Sequence, residues 1–225
     1  MRGLIERKAV RDQVKGCVSC GLRAGCREPV PFDAPLSGVS IVVVGEAPGY
    51  KEDQEGVPFV GPAGQLARQW LQRVGINTVD VAWMNVVCCF PNRTPTTKEV
   101  TACRPNLTAQ IEYLDPKFVL VFGGVALSAL CPVSTKISES AGYFWRPSYK
   151  TSAWAMATWH PAAVLRNVSL EDKALEDIEY FSLVAKEEVD PVEHVYCLKC
   201  KKNDVWQYHS CGLGFCENCW RLSVK

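Results

Sequence analysis

Residues 39–44 read VSIVVV, and the turn GEAPG follows at 45–49. A short, continuous and β-branched run is typical of a strand that is covered on both faces, as in a parallel sheet. The glycines and the proline of the turn prevent the strand from continuing. The stretch therefore predicts a buried strand of a parallel sheet that ends in a loop of fixed shape.

Strand and helix patterns alternate through the rest of the first 190 residues. Further strands are predicted over 79–87, 118–122 and 153–158, and helices over 63–74, 96–113, 124–130 and about sixteen residues from 169. Capping-box spacing marks two of the helix starts, Thr96 with Glu99 and Ser169 with Asp172. This order predicts an α/β domain of three layers, with a central parallel sheet flanked by helices.

Composition narrows the classes of function. The 225 residues carry 25 Lys and Arg against 24 Asp and Glu, a net charge of +1, so binding to nucleic acid has to come from a local patch. No stretch approaches the ~18–20 apolar residues of a membrane span. The first residues lack the apolar core of a signal peptide. We therefore expect a cytoplasmic protein without membrane contact, and we expect a monomer.

Twelve cysteines need an explanation in a reducing compartment, because disulfides rarely persist there. Three C-x-x-C pairs, at 17–20, 197–200 and 216–219, indicate bound metal. The first pair is followed far downstream by Cys88-Cys89 and Cys103, a pattern compatible with zinc or with a cubane iron–sulfur cluster. The single cysteines Cys26 and Cys131 are expected to be small buried apolar residues.

A second, smaller unit is predicted over 191–225, after the boundary dipeptide Asp190-Pro191. The spacing of its four paired cysteines is that of a zinc ribbon, with His194, His209 or Cys211 as possible substitute ligands. The predicted zinc ligands are Cys197, Cys200, Cys216 and Cys219. Five basic residues and several aromatic ones suit contact with DNA or a protein, but zinc that merely folds a short segment explains the cysteines equally well.

Three side chains that can take part in chemistry lie at or just beyond the ends of predicted strands: Glu46 after the first, Asn85 near the end of the second and His160 after the fourth. The carboxyl ends of parallel strands meet at one edge of a sheet, where ligands gather. Phe59 lies in a glycine- and proline-rich loop, and a rigid carboxylate beside an aromatic face suits a flat heteroaromatic ring. The plainer interpretations are a solvated acidic loop and a structural histidine.

The segment WHPAAVLRN at 159–167 joins apolar and basic residues in one loop. Val164 and Leu165 before Arg166 suit an apolar wedge in a base stack beside a cation that binds phosphate. The simpler interpretation is a helix entry with Leu165 in the core.

Four motifs in this order resemble the iron–sulfur-containing family 4 of the uracil-DNA glycosylase superfamily. They are GEAPG at 45–49, PFVGPAGQL at 58–66, NVVCC at 85–89 with NRTPT and AC beyond it, and HPAAVLRN at 160–167. The resemblance covers residues from about 17 to about 184. It implies base flipping, hydrolysis of the N-glycosidic bond of uracil in DNA to leave an abasic site, and a [4Fe–4S] cluster remote from the chemistry.

The resemblance also implies roles for single residues. Phe59 would stack on uracil, Asn85 would read its O4/N3 edge, His160 would stabilise charge on O2, and backbone groups around Ala47 would complete the pocket. Glu46 would place water or stabilise the sugar cation, with Glu52 and Asp53 as further candidates. Val164 and Leu165 would fill the gap left by the flipped nucleotide, with Arg166 on a phosphate.

The implied cluster ligands are Cys17, Cys20, Cys89 and Cys103. Family members usually carry basic residues on both sides of the third ligand, where this chain has Cys88 and Phe90. This difference leaves Cys88 or Cys89 as the third ligand, with Cys89 preferred. Two other functions stay open: a DNA-binding adaptor without activity, and a glycosylase for another modified or deaminated base.

Overall fold

The computed structural model describes residues 2–36, 38–131, 136–147 and 152–188, with the short segments 207–208 and 214–215. The eight α-helices of these ranges are α1 Arg2–Lys15, α2 Tyr50–Glu55, α3 Pro62–Arg73, α4 Thr97–Leu114, α5 Gly123–Leu130, α6 Ile137–Ser140, α7 Pro161–Val164 and α8 Glu171–Ala185. The strands are β1 Ile41–Gly45, β2 Val81–Asn85, β3 Phe118–Phe122, β4 Phe144–Trp145, β5 Trp154–Thr158, β6 Gln207–Tyr208 and β7 Gly214–Phe215. Two 3₁₀ turns lie at Gly21–Ala24 and Val168–Leu170.

The main sheet has the order β2-β1-β3-β5-β4. Its four longer strands are parallel, which confirms the predicted sheet, and the two-residue strand β4 pairs antiparallel with β5 at one edge. All four parallel strands have their carboxyl ends at the same edge of the sheet, because Gly45 pairs with Asn85 and Phe122 pairs with Thr158.

Successive residues of each strand point to opposite faces, so the sheet separates two apolar cores. Val42 and Val44 of β1 pack on one side with α1, α4 and α5. Val43 packs on the other side with α3, α7 and α8. The predicted three-layer architecture is thereby confirmed.

One predicted helix start is correct and one is wrong. Thr96 caps α4, since its hydroxyl accepts from the backbone N–H of Glu99 and the Glu99 carboxylate accepts from that of Thr96. Ser169 forms no capping box, because the Asn167 carboxamide oxygen accepts its N–H and its hydroxyl proton. The chain enters a 3₁₀ turn there, and α8 begins after Leu170 without a side-chain cap.

The predicted zinc ligands Cys197, Cys200, Cys216 and Cys219 lie outside the described residues. In their segment the structure describes only the antiparallel pair β6 and β7. Among the described helices, none has the length and apolar character needed to cross a membrane.

Candidate functional site

A cavity of about 640 Å³ opens at the carboxyl edge of the sheet. Its lining includes seven of the predicted site residues: Glu46, Ala47, Glu52, Phe59, Asn85, His160 and Arg166. These residues come from four separate stretches of sequence. The fold gathers them because β1, β2 and β5 all end at this edge.

Asn85 and Phe59 are packed around Gly45 at the floor of the cavity. Asn85 is the last residue of β2 and is only 5% exposed. A Cβ atom at Gly45 would lie 2.5 Å from Oδ1 of Asn85 and 2.7 Å from the ring of Phe59, so only glycine fits there. The Phe59 ring lies 5.1 Å from that of Trp83, and its backbone has a positive φ of 59°.

The backbone fixes His160 in one tautomer. The N–H of Ala162 donates to Nδ1 of His160 at 3.1 Å, so in the neutral ring the proton sits on Nε2. Burial, together with a smaller effect of the positive charge of Arg166, lowers the pKa of His160 to about 4. At neutral pH the site therefore holds an uncharged imidazole whose Nε2 is a hydrogen-bond donor.

Glu46 and Arg166 are two charged residues of the cavity that interact with each other. Burial raises the pKa of Glu46, and the positive charge of Arg166 offsets part of that rise. Arg166 follows α7, and Glu46 follows β1, so their proximity depends on the tertiary fold. A carboxylate of this kind suits the stabilisation of a nearby cation or the orientation of water.

The carboxylates of Glu52 and Asp53 are hydrogen-bonded to the backbone. The Glu52 carboxylate accepts from the backbone N–H groups of Gly49 and Gly61, at 3.1 Å and 2.8 Å. Asp53 accepts from the backbone N–H of Arg27 at 2.9 Å and does not line the cavity. These bonds hold the loop between β1 and α3 in shape, and they favour a structural role for both residues.

The two apolar residues of the predicted wedge differ in exposure. Val164 is 2% exposed and packs in the core beside α3 and α8, so it is not available to DNA in this position. Leu165 is 53% exposed at the end of α7. The structure therefore supports only Leu165 as a residue that can enter a base stack.

A groove of about 620 Å³ continues beyond Glu46 along α4 and α5. Arg104 and Lys136 line it, and neither forms an ion pair with another described residue. Hydroxyl groups of Thr97 and Ser128 lie along the same groove. The combination of cations and hydroxyls suits a chain of phosphates.

Five thiols surround a second, small cavity on the α4 side of the sheet: Cys17, Cys20, Cys88, Cys89 and Cys103. No three His, Cys, Asp or Glu side chains within the described ranges are arranged to hold a single metal ion. A cubane cluster instead takes four thiolates at its corners. The number and type of donors around this cavity fit such a cluster.

Both candidates for the third cluster ligand face this cavity. The Cys88 thiol accepts from Nε2 of Gln110 at 3.8 Å, and the neighbouring Cys103 thiol and burial raise the pKa of Cys88. Burial and the neighbouring Cys26 thiol raise the pKa of Cys89. The preference for Cys89 stays a prediction, while the expected burial of Cys26 and Cys131 is confirmed.

Comparison with known proteins agrees with this geometry. A family model described as the uracil DNA glycosylase superfamily matches residues 32–179. The chain belongs to this superfamily. Two similar proteins are the type-4 uracil-DNA glycosylases of Pyrobaculum aerophilum and Thermotoga maritima. The first is 36% identical over 76% of this chain and 91% of its own length, and the second is 39% identical over 80% and 94%.

Some cavity residues of this superfamily member were not predicted. Gly123 follows β3 with a φ of +86°, and a Cβ atom there would lie 3.0 Å from Cβ of His160. The pair Gly123-Gly124 directly after the run FVLVF was a usable signal, because GEAPG follows β1 in the same way. Tyr50, Phe90 and Arg93 also line the cavity, and none of them was predicted as a site residue, although Arg93 lies in the motif NRTPT and Phe90 is a departure from the family pattern.

Proposed function

We propose that this protein removes uracil from DNA by hydrolysing the N-glycosidic bond of a flipped nucleotide, leaving an abasic site. The observation that carries the proposal is the neutral, oriented imidazole of His160 in the same cavity as Asn85 and Phe59. The similar proteins from Pyrobaculum aerophilum and Thermotoga maritima are named for this activity.

Recognition of the base rests on Asn85 and Phe59. The Asn85 carboxamide donates to O4 of uracil and accepts from N3–H, a pattern that cytosine cannot match because it carries an amino group and an unprotonated ring nitrogen there. Phe59 supplies a fixed aromatic face, held by Trp83 and by the close approach of Gly45. Backbone groups around Ala47 complete the pocket.

Cleavage moves the electron pair of the C1′–N1 bond onto the departing uracil. Negative charge grows on O2, where Nε2–H of His160 donates a hydrogen bond without a prior change in protonation. Glu46 stabilises the cationic sugar and orients the water whose oxygen bonds to C1′. One proton of that water is released, and the uracil anion takes up a proton.

The rest of the DNA is held around this pocket. Leu165 fills the gap left by the flipped nucleotide, and Arg166 contacts a phosphate beside it. The groove with Arg104 and Lys136 takes the phosphates of the strand as it leaves the cavity.

We propose Cys17, Cys20, Cys89 and Cys103 as ligands of a [4Fe–4S] cluster. When bound, the cluster supplies four iron–thiolate bonds that tie the N-terminal segment to the strand end at β2 and to α4. Residues 1–190 form the catalytic unit in this proposal. Residues 191–225 stay a predicted zinc unit.

The deciding experiment is excision of a single uracil from single- and double-stranded oligonucleotides, followed by alkaline cleavage at abasic sites. We expect cleavage by the wild type and a large loss in His160→Ala. DNA binding without cleavage by the metal-loaded wild type would overturn the proposal in favour of the adaptor. Cleavage only at other bases would overturn the substrate.

A further inference from the structure

Two aromatic side chains form a pair at the mouth of the base pocket. Tyr50 is 67% exposed, although it begins the short helix α2 inside the cavity lining. Its ring centroid lies 6.4 Å from that of Phe90, with the ring planes at 73°, an edge-to-face arrangement. An aromatic ring with this exposure contributes little to the core, so its surface is available to a ligand.

The pair is held in place from both sides. The carboxylate of Glu52 binds the backbone N–H groups of Gly49 and Gly61, which fixes the loop on either side of Tyr50. Phe90 is partly buried against the core that includes the cysteine cavity. Tyr50 is therefore an ordered aromatic surface beside the pocket.

Lys51 adds charge next to this surface. It is exposed, lines the same cavity and has no ion-pair partner among the described residues. An aromatic face beside a free cation is the arrangement that binds one nucleotide of a single strand, with the base stacked and the phosphate paired.

We propose that Tyr50, supported by Phe90, stacks on the unpaired base next to the flipped uracil. This inference rests on the proposed function, since it places the uracil in the pocket lined by Phe59. A neighbouring base in a duplex is already stacked and paired, so it reaches Tyr50 only after leaving its partner. Tyr50 therefore makes the protein favour uracil in single-stranded DNA.

The test measures the affinity of the metal-loaded full chain for single-stranded oligonucleotides. Each carries 2′-fluoro-2′-deoxyuridine, whose glycosidic bond resists cleavage. In two further oligonucleotides a tetrahydrofuran residue replaces the nucleotide on the 5′ or the 3′ side, which removes one neighbouring base. The proteins are the wild type, Tyr50→Ala, Tyr50→Phe and the control Val79→Ala. Val79 is 70% exposed and precedes β2, so it lies at the opposite end of that strand from Asn85.

We expect the wild type to lose about tenfold in affinity when one of the two neighbouring bases is removed, as for one stacking contact. Tyr50→Ala binds the intact oligonucleotide about tenfold more weakly and does not respond to removal of that base. Tyr50→Phe and Val79→Ala behave as the wild type. Equal losses in Tyr50→Ala and the wild type upon base removal overturn the inference.

Excision assays separate this inference from the proposed function. If the wild type excises no uracil, the proposed function fails. The affinities of the wild type and Tyr50→Ala, with and without the neighbouring base, still decide whether Tyr50 stacks on a base. If the wild type excises uracil, its preference for single strands over duplex falls about tenfold in Tyr50→Ala. An unchanged preference in that variant overturns the inference alone.

Discussion

The backbone N–H of Ala162 donates to Nδ1 of His160 at 3.1 Å. This bond leaves Nε2 as the donor nitrogen of the neutral ring, and burial, with a smaller effect of Arg166, lowers the pKa of His160 to about 4. We expect His160→Ala to lower the single-turnover rate by about 10²–10³, as for other donors at a developing anion. Affinity for uracil-free DNA should change little, and a wild-type rate in this variant would make His160 structural.

The neutral state of His160 has a further consequence for pH dependence. His160 stays uncharged down to about pH 4, so its titration should not reduce excision between pH 7.5 and 5. Nitrogen NMR of ¹⁵N-labelled histidine should show a protonated Nε2 at pH 6.5. An imidazolium signal from His160 at that pH would contradict the assignment.

The titrations of His160 and Asp177 should change the free energy of unfolding in opposite directions as the pH rises. The unfolded chain protonates His160 near pH 6.5 and the folded one near 4, so this contribution falls as the pH drops through that window. Burial raises the pKa of Asp177 to about 6, although the hydrogen bond that it accepts from Thr158 at 2.7 Å acts in the opposite direction. The stability that Asp177 contributes is therefore present at low pH and is lost as the pH rises from about 4 to 6.

We therefore expect Asp177→Asn to become more stable relative to the wild type as the pH rises from 4 to 6. The change is about 1 kcal/mol, since solvent screens a partly exposed group. His160→Gln, which has no imidazole to titrate, should become more stable relative to the wild type as the pH falls from 6.5 to 4. Thermal unfolding of each variant beside the wild type gives these differences, and parallel curves would contradict both shifts.

Gly45 separates Asn85 from Phe59 with no room for a methyl group. A Cβ atom would lie 2.5 Å from one and 2.7 Å from the other, so we expect Gly45→Ala to displace both and to reduce excision by at least tenfold. The control is Gly3→Ala in α1, where a Cβ atom has no neighbour within 4 Å. Crystal structures of both variants would show whether Asn85 moves, and an active Gly45→Ala protein would argue against its role.

Arg166 links binding to the protonation of Glu46. We expect Arg166→Ala to weaken binding to every DNA sequence and to reduce the salt dependence by about one counterion. Its charge also holds down the pKa of Glu46, so the acid limb of the excision profile should move to higher pH in this variant. Unchanged salt dependence would place Arg166 away from phosphate.

Iron content distinguishes the two adjacent cysteines. We expect about four iron atoms per chain and absorbance near 400 nm in the anaerobically prepared wild type. Cys89→Ser should lose both, whereas Cys88→Ser should keep them. Cys131→Ser is the matched control, since Cys131 is buried but does not line the cysteine cavity. Iron loss in Cys88→Ser alone would reassign the third ligand.

Local sequence patterns were sufficient for the sheet and for several site residues. The run VSIVVV before GEAPG predicted β1, and Thr96 with Glu99 predicted the start of α4. These features depend on neighbours in the chain: an unbroken run of β-branched residues, and a hydroxyl three residues before its partner. Glu46, Asn85 and His160 were found because each lies at or just beyond the carboxyl end of a predicted strand.

Other features were decided by contacts between distant segments. The same acidic loop contains Glu46, which faces the cavity, and Glu52, whose carboxylate is occupied by the backbone of Gly49 and Gly61. Val164 and Leu165 are adjacent and similar in sequence, yet one is in the core and the other is exposed.

The sequence by itself determined the layers of the fold and the edge at which the site lies, because hydrophobic patterns and the alternation of strands and helices depend on residues close together in the chain. The tertiary structure alone decided which carboxylate is free, which apolar residue is exposed, which tautomer His160 adopts and that Tyr50 stands beside Phe90. Each of these depends on the desolvation of a group or on a partner supplied by another segment, and neither can be read from the residues on its two sides.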